Sequence, residues 1–196
     1  MKLLPLFILL GSLLFPANAD HLLLTRVVTQ PDAAESFSIY NPTDSPIDLT
    51  NYYICDDEDY YKMQTEGDMS PAAIGSGFAS RFPEINIEPA DTLTIVLHEN
   101  YKDHYGDDFV ADLVMFGESD SSLIGYIGGA AGKINEVAEM MILFKWDGDE
   151  NHSIQDIDYF LWGNNQNAID KSDVPGYQSD TSVGDQLFFK TEAETY

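Results

Sequence analysis

Apolar and polar side chains repeat along this chain mostly with the two-residue period of β-strands. Thr92-Leu93-Thr94-Ile95 alternates and runs on through Val96-Leu97-His98, which predicts a strand. Phe37-Ser38-Ile39-Tyr40 sets Phe37 and Ile39 on one face and stops at Asn41-Pro42. Leu22 to Thr29 is rich in branched residues and is bounded by Gln30-Pro31-Asp32. After the turn at Asp44-Ser45-Pro46, Ile47-Asp48-Leu49 and Tyr52-Tyr53-Ile54-Cys55 read as a bent strand pair ending at Asp56-Asp57. Glu139 to Trp146 is apolar on both faces, the pattern of a central strand. Ile154 to Trp162 follows it and stops at Gly163-Asn164-Asn165. Between these two lies Asp147-Gly148-Asp149-Glu150-Asn151, a hairpin-turn composition.

Many short strands with turns between them predict an all-β fold, a sandwich or a barrel. Residues 62–91 read as a long loop or irregular excursion. Residues 99–137 hold one apolar stretch, Phe109 to Phe116, and a Gly/Ala-rich stretch from Gly125 to Gly132. From Asp170 the chain turns polar, and Leu187-Phe188-Phe189 is its last apolar cluster. With neither an internal repeat nor a linker, the expectation is one domain over 20–190 with a polar tail at 191–196.

Composition narrows the setting. Residues 1–19 carry Lys2, an apolar run from Leu3 to Phe15, and then Pro16-Ala17-Asn18-Ala19. This is the layout of a secretory signal peptide, with cleavage expected between Ala19 and Asp20. The run is too short to span a bilayer, and no later segment is long enough. The expectation is therefore a secreted protein, extracellular or periplasmic, with no membrane span. The chain has 196 residues, 34 acidic against 9 basic, and a formal net charge of −25. Such a charge repels phosphate backbones, which argues against nucleic-acid binding by a basic surface. It suits a soluble exported protein, one from a saline setting, or one that binds cations. The single cysteine, Cys55, rules out a disulfide-stapled module.

Catalytic motifs are missing from the sequence. There is no G-x-S-x-G, H-E-x-x-H, P-loop or G-x-G-x-x-G, so no catalytic residue is assigned. His21, His98, His104 and His152 lack metal-ligand spacing and read as solvated turn or strand-end residues. Cys55 sits beside acids that disfavour its thiolate, so it reads as a buried, inert thiol.

Two acidic clusters could do more than solubilise. One is Asp56-Asp57-Glu58-Asp59; the other is Asp147-x-Asp149-x-Asn151-x-Ser153, continuing to Asp156 and Asp158. Oxygens at alternate positions suit Ca²⁺, which makes Asp147, Asp149, Asn151 and Asp158 the calcium candidates. His152 stands where an EF-hand loop needs Gly, so the plainer reading is an acidic hairpin loop. Tyr52, Tyr53, Tyr60, Tyr61, Trp146 and Trp162 could form a carbohydrate-stacking platform, but at strand positions they read more simply as core or cross-strand pairs.

The series Glu35-Ser36-Phe37-Ser38-Ile39-Tyr40-Asn41-Pro42, then Ile47-Asp48-Leu49, then Tyr52-Tyr53-Ile54-Cys55-Asp56, resembles the opening of a lamin tail domain. Ile87-Glu88-Pro89-Ala90-Asp91-Thr92-Leu93 is similar to that family's I-x-P-G-x-x-L step, with Ala90 where Gly is usual. Glu139 through Gly148 and Ile157-Asp158-Tyr159 resemble its later hairpin, and Trp162-Gly163 with Ala168 to Lys171 is similar to secreted bacterial members. The resemblance covers roughly residues 21–185. It departs at the end: members usually close with a Ser-aromatic/Leu-x-Arg strand, whereas this chain has Lys190 and no late Arg, so the expectation is either a version truncated before the usual closing strand or Leu187-Phe188-Phe189 as its substitute. The resemblance implies an immunoglobulin-like β-sandwich, here with long loops. It also implies a bacterial, exported, non-enzymatic module that binds an unknown protein or cell-surface partner. Two other readings stand beside it: a calcium-dependent adhesion domain using the acidic loops, and a secreted hydrolase with a site built from loops 56–91 and 99–135.

Overall fold

The computed structural model describes residues 19–57, 60, 77–127, 134–149, 151–152 and 154–163. They form an all-β fold of two facing sheets. The first sheet contains β1 (Leu23–Val28), β2 (Ser36–Tyr40), β7 (Thr92–Val96) and β8 (Leu113–Val114), in the order β1-β2-β7-β8. The second runs β11-β10-β4-β5-β9, built from β4 (Tyr52–Cys55), β5 (Phe78–Arg81), β9 (Ile124–Ile127), β10 (Glu139–Lys145) and β11 (Gln155–Trp162). A two-stranded ribbon joins β3 (Ile47–Asp48) to β6 (Asn86–Ile87). Pairing is antiparallel except between β7 and β8. A short α-helix, α1 (Tyr101–Tyr105), follows β7. Among the described residues no helix is long and apolar enough to cross a membrane.

The alternation read from the sequence is what joins the two sheets. Phe37 and Ile39 of β2 and Ile95 of β7 meet Tyr52 and Ile54 of β4, Phe78 of β5, and Met141 and Leu143 of β10 in one buried cluster. Each such side chain contributes about 1.5–3 kcal/mol by leaving water, which is the main force holding the sheets face to face. Phe37 meets Phe82 edge-on across this core, with ring centroids 6.5 Å apart.

The opposite face of the second sheet is also buried. Tyr53, Cys55, Ala79, Met140, Ile142 and Phe144 form a second cluster with Tyr60, Trp146, Ile154 and Leu161. Tyr53 stacks on Phe144 at 5.1 Å, and Tyr60 packs on the same ring at 5.2 Å. A strand buried on both faces has no polar row, which is why β10 reads as continuous apolar sequence. Tyr52, Tyr53, Tyr60 and Trp146 are thus core residues and offer no exposed stacking platform.

Two expectations are corrected. Ile47–Asp48 does not pair with Tyr52–Cys55; it pairs with Asn86–Ile87, while β4 lies between β10 and β5. Residues 62–91 are not all loop either, since β5 and β6 lie within them. Phe78-Ala79-Ser80-Arg81 escaped notice because Ala and Ser carry little strand signal; tertiary pairing on both sides makes the strand. The late cluster Leu187-Phe188-Phe189 and the tail lie outside the described residues, as do residues 1–18.

Asn41, fully buried, organises the turns at one end of β2. Its amide donates to the carbonyls of Ser45 and Ile87, and its oxygen accepts from the Thr43 amide and hydroxyl. Its backbone bonds the 90–91 turn as well. In that turn Ala90 has φ of +58°, the left-handed conformation that glycine adopts most readily.

Candidate functional site

The feature that stands out chemically is at the other end of β2. Inner-facing positions recur every second residue, and three inner-facing rows end in an acid: Glu35 ahead of Phe37 and Ile39, Asp56 after Tyr52 and Ile54, and Glu139 ahead of Met141 and Leu143. The strand directions bring these three ends together. Glu35 is 2% exposed, Asp56 5%, and Glu139 half-buried.

Each carboxyl is held by main chain. Asp56 Oδ1 accepts the Phe78 amide at 2.5 Å, and Gly77 leaves the room this needs, since a Cβ there would lie 2.2 Å from that oxygen. Asp56 Oδ2 is buried and has no hydrogen-bond partner among the described residues. Glu35 Oε2 lies 2.7 Å from His98 Nε2 and accepts the Ile134 amide at 3.3 Å. Glu139 Oε2 accepts the Asn135 amide at 2.5 Å. Asp57, the next residue along the chain, is 9% exposed.

Burial disfavours the charged form of all three acids. It pushes Asp56 up to about 8, against the pull of the Phe78 amide, and the nearby charges of Glu139 and Asp57 add to the rise. Burial likewise raises Glu35 above the usual carboxylate range, opposed by its hydrogen bond to His98. Glu139 is raised by burial, with Glu35 and Asp57 contributing. Charge on Glu139 works against ionisation of Asp56, and charge on Glu35 works against ionisation of Glu139.

The calcium candidates Asp147, Asp149, Asn151 and Asp158 each make hydrogen bonds within the protein. Asp147 Oδ1 accepts the Asp149 amide, and its Oδ2 lies 2.7 Å from His152 Nδ1. Asp149 accepts both the amide and the side-chain nitrogen of Asn151. These bonds hold the Asp147 and Asp149 carboxyls below the usual range. Asp158 is not in the loop; it pairs with Leu143 along the hairpin, and its Oδ2 accepts the Leu24 amide at 2.6 Å. Among the described residues no three His, Cys, Asp or Glu side chains form a group able to hold a metal ion. Of the first acidic cluster, Glu58 and Asp59 lie outside the described residues.

The histidines are spread apart. His21 contacts Asp20 at the surface, His104 packs on Tyr105, and His152 belongs to the hairpin loop. His98 departs from the solvated strand-end reading, since its side chain is 18% exposed against Glu35. Cys55 is fully buried, and burial pushes its thiol well above the ordinary value. The Asp57 amide donates to its sulfur at 3.2 Å.

Sequence reasoning singled out Asp56 only as part of an acidic run and passed over Glu35 and Glu139. The signal for them was present: each occupies the inner-facing phase of its strand, where an acid is out of place. No protein-family model matches the chain, and no curated protein matches it.

Proposed function

We propose that the chain is an exported, non-enzymatic β-sandwich of lamin-tail type that works as an extracellular or cell-surface interaction module. One observation carries this reading: how its acids are used. Glu35, Asp56, Glu139, Asp112 and Asp158 accept the amides of Ile134, Phe78, Asn135, Thr94 and Leu24 in turn. One oxygen of each of these acids is engaged in fastening strands and turns. An enzyme needs a nucleophile and a base converging on a shared reacting atom. The buried Asn41 at the end of β2 and the left-handed Ala90 support the lamin-tail reading. They stand where the resemblance places an Asn and where it usually places a Gly.

The test has two arms. Expressed as the full chain in a bacterial host, the protein is expected outside the cytoplasm with Asp20 as its new N-terminus. The purified product is expected to bind intact cell envelopes saturably and to turn over no ester, peptide or glycoside substrate. Retention of residues 1–19 in the cytoplasm would overturn the export half. Substrate turnover lost in Asp56→Asn would overturn the non-enzymatic half.

A further inference from the structure

The apolar stretch from Phe109 to Phe116 divides its side chains. Leu113 and Met115 enter the core between the sheets. Phe109, Val110 and Phe116 belong to neither buried cluster, and Val110 is 82% exposed. Tyr101 and Tyr105, four residues apart and so on one face of α1, join them. Tyr105 stacks on Phe109 with ring centroids 4.5 Å apart, Tyr101 meets Phe109 edge-on at 6.0 Å, and Tyr101 lies 6.3 Å from Phe116. All four rings are partly open to solvent. Tyr105 moors the group at the start of β2, where its hydroxyl donates to the Ala34 carbonyl at 2.7 Å and lies 3.1 Å from Ser36 Oγ. An aromatic group held in place yet left outside the core is surface set aside for contact.

The charge around these rings has one sign. Residues 99–120 hold seven acids, all exposed, against one Lys and no Arg. Asp112 accepts the Thr94 amide. The other six, Glu99, Asp103, Asp107, Asp108, Glu118 and Asp120, have no side-chain hydrogen bond or ion pair among the described residues. They differ in this from the acids that fasten strands. The one lysine, Lys102, places its Nζ 6.0 Å from the centre of the Tyr101 ring, so a ring of the group already faces a cation. We propose that the Tyr101–Tyr105–Phe109–Phe116 group is a docking surface for a cationic, arginine-bearing segment of a partner protein. A guanidinium stacks on an aromatic face and pairs with carboxylates in a planar fork, so rings bordered by unpaired acids match both of its properties. The acids supply the long-range attraction and the rings the short-range contact. A second copy of this chain, with its net charge of −25, or an anionic lipid surface brings like charge to the same place and is repelled. This inference rests on the interaction-module reading and gives the partner a chemistry.

The test titrates the purified chain with a synthetic peptide of alternating Arg and Gly. Tyr101→Ser with Phe109→Ser leaves the charge unchanged and is expected to weaken binding about tenfold or more. Asp147→Asn with Asp149→Asn removes charge at the distant hairpin and is expected to change binding by less than about twofold. Absence of binding to the wild type overturns the proposal. So does wild-type affinity in the aromatic variant, or an equal loss in the hairpin variant, since either means attraction to net charge alone. Should the aromatic variant fail to fold, amide NMR of the wild type decides: peptide-induced shifts centred on residues 101–116 support the surface, and shifts spread over the whole acidic exterior overturn it. Cell-envelope binding separates this inference from the reading beneath it. Envelopes that bind the wild type and the aromatic variant equally overturn the surface and leave the module standing; envelopes that do not bind the wild type overturn both.

Discussion

Asp158 on β11 accepts the main-chain N–H of Leu24 on β1 at 2.6 Å. The two strands are edges of different sheets, so one carboxylate ties the sheets together along one side. β1 carries an irregularity between Leu24 and Arg26, where its register with β2 shifts. Such a bulge turns an edge strand out of its ladder, which exposes an amide for another acceptor. Asp158→Ala is expected to lower stability by about 1.5–3 kcal/mol, the range for a hydrogen bond to a charged group. Urea unfolding of the two proteins checks it. An unchanged midpoint would mean that the sheets are held along this side by apolar contact alone.

Ala90 is the opposite case, a position where substitution should help. Its φ of +58° is strained for a residue with a Cβ. Ala90→Gly relieves that strain but adds freedom to the unfolded chain. The expected net gain is about 0.5–1 kcal/mol, read as a higher thermal midpoint. A lower midpoint would show that the turn is held by its hydrogen bonds to Asn41 without appreciable strain.

Stability should also depend on pH with a definite sign. Asp56, raised to about 8, keeps a proton that the unfolded chain has shed, and Glu35 and Glu139 are raised in the same direction. Their contribution is full below the unfolded carboxylate range and is lost as pH climbs toward about 8. At its steepest the fall is about 1.4 kcal/mol per pH unit for each proton released. The exposed Asp48, Asp147 and Asp149 are lowered and act the other way, losing their small contribution as pH drops below about 4. Denaturation midpoints measured across this range are therefore expected to peak at mildly acidic pH. A peak above pH 8 would contradict the buried-acid assignment. Added salt is expected to raise the midpoint near neutral pH, because it screens the net charge of −25 that the chain carries there.

Calcium gives a further check. The carboxyls of Asp147 and Asp149 already accept hydrogen bonds inside their own loop. Millimolar Ca²⁺ is expected to leave the thermal midpoint within about 1 °C of its metal-free value, since only a ligand that prefers the native state raises it. A rise of several degrees that is abolished by replacing Asp147 and Asp149 with Asn would favour the calcium-dependent adhesion reading instead.

Much of the sandwich was legible in the sequence. β2, β7, β10 and β11 follow the apolar pattern closely because each packs at least one row of side chains against the core, and a packed face imposes its period on the residues. β5 and the β3–β6 ribbon were not legible. They are two to four residues long and exist because neighbouring strands supply their hydrogen bonds. The acid cluster was half legible. A run such as Asp56-Asp57-Glu58-Asp59 draws attention by density, yet the acids that matter are single residues set by phase: Glu35, Asp56 and Glu139 each extend an apolar row by one position. That they converge depends on strand direction and sheet order, which no local pattern encodes.

The double-sided burial of β10 has a consequence before the fold exists. Met140-Met141-Ile142-Leu143-Phe144 is five apolar residues in a row with no break, the kind of stretch that associates with its own copies when unfolded. It is bracketed by Glu139 and Lys145, with Asp147 and Asp149 close behind. Charges placed at the borders of such a stretch keep nascent chains apart until the sheet forms. Glu139 thus serves twice: as an ionised gatekeeper on the unfolded chain, and as a buried fastener once its neighbours enclose it.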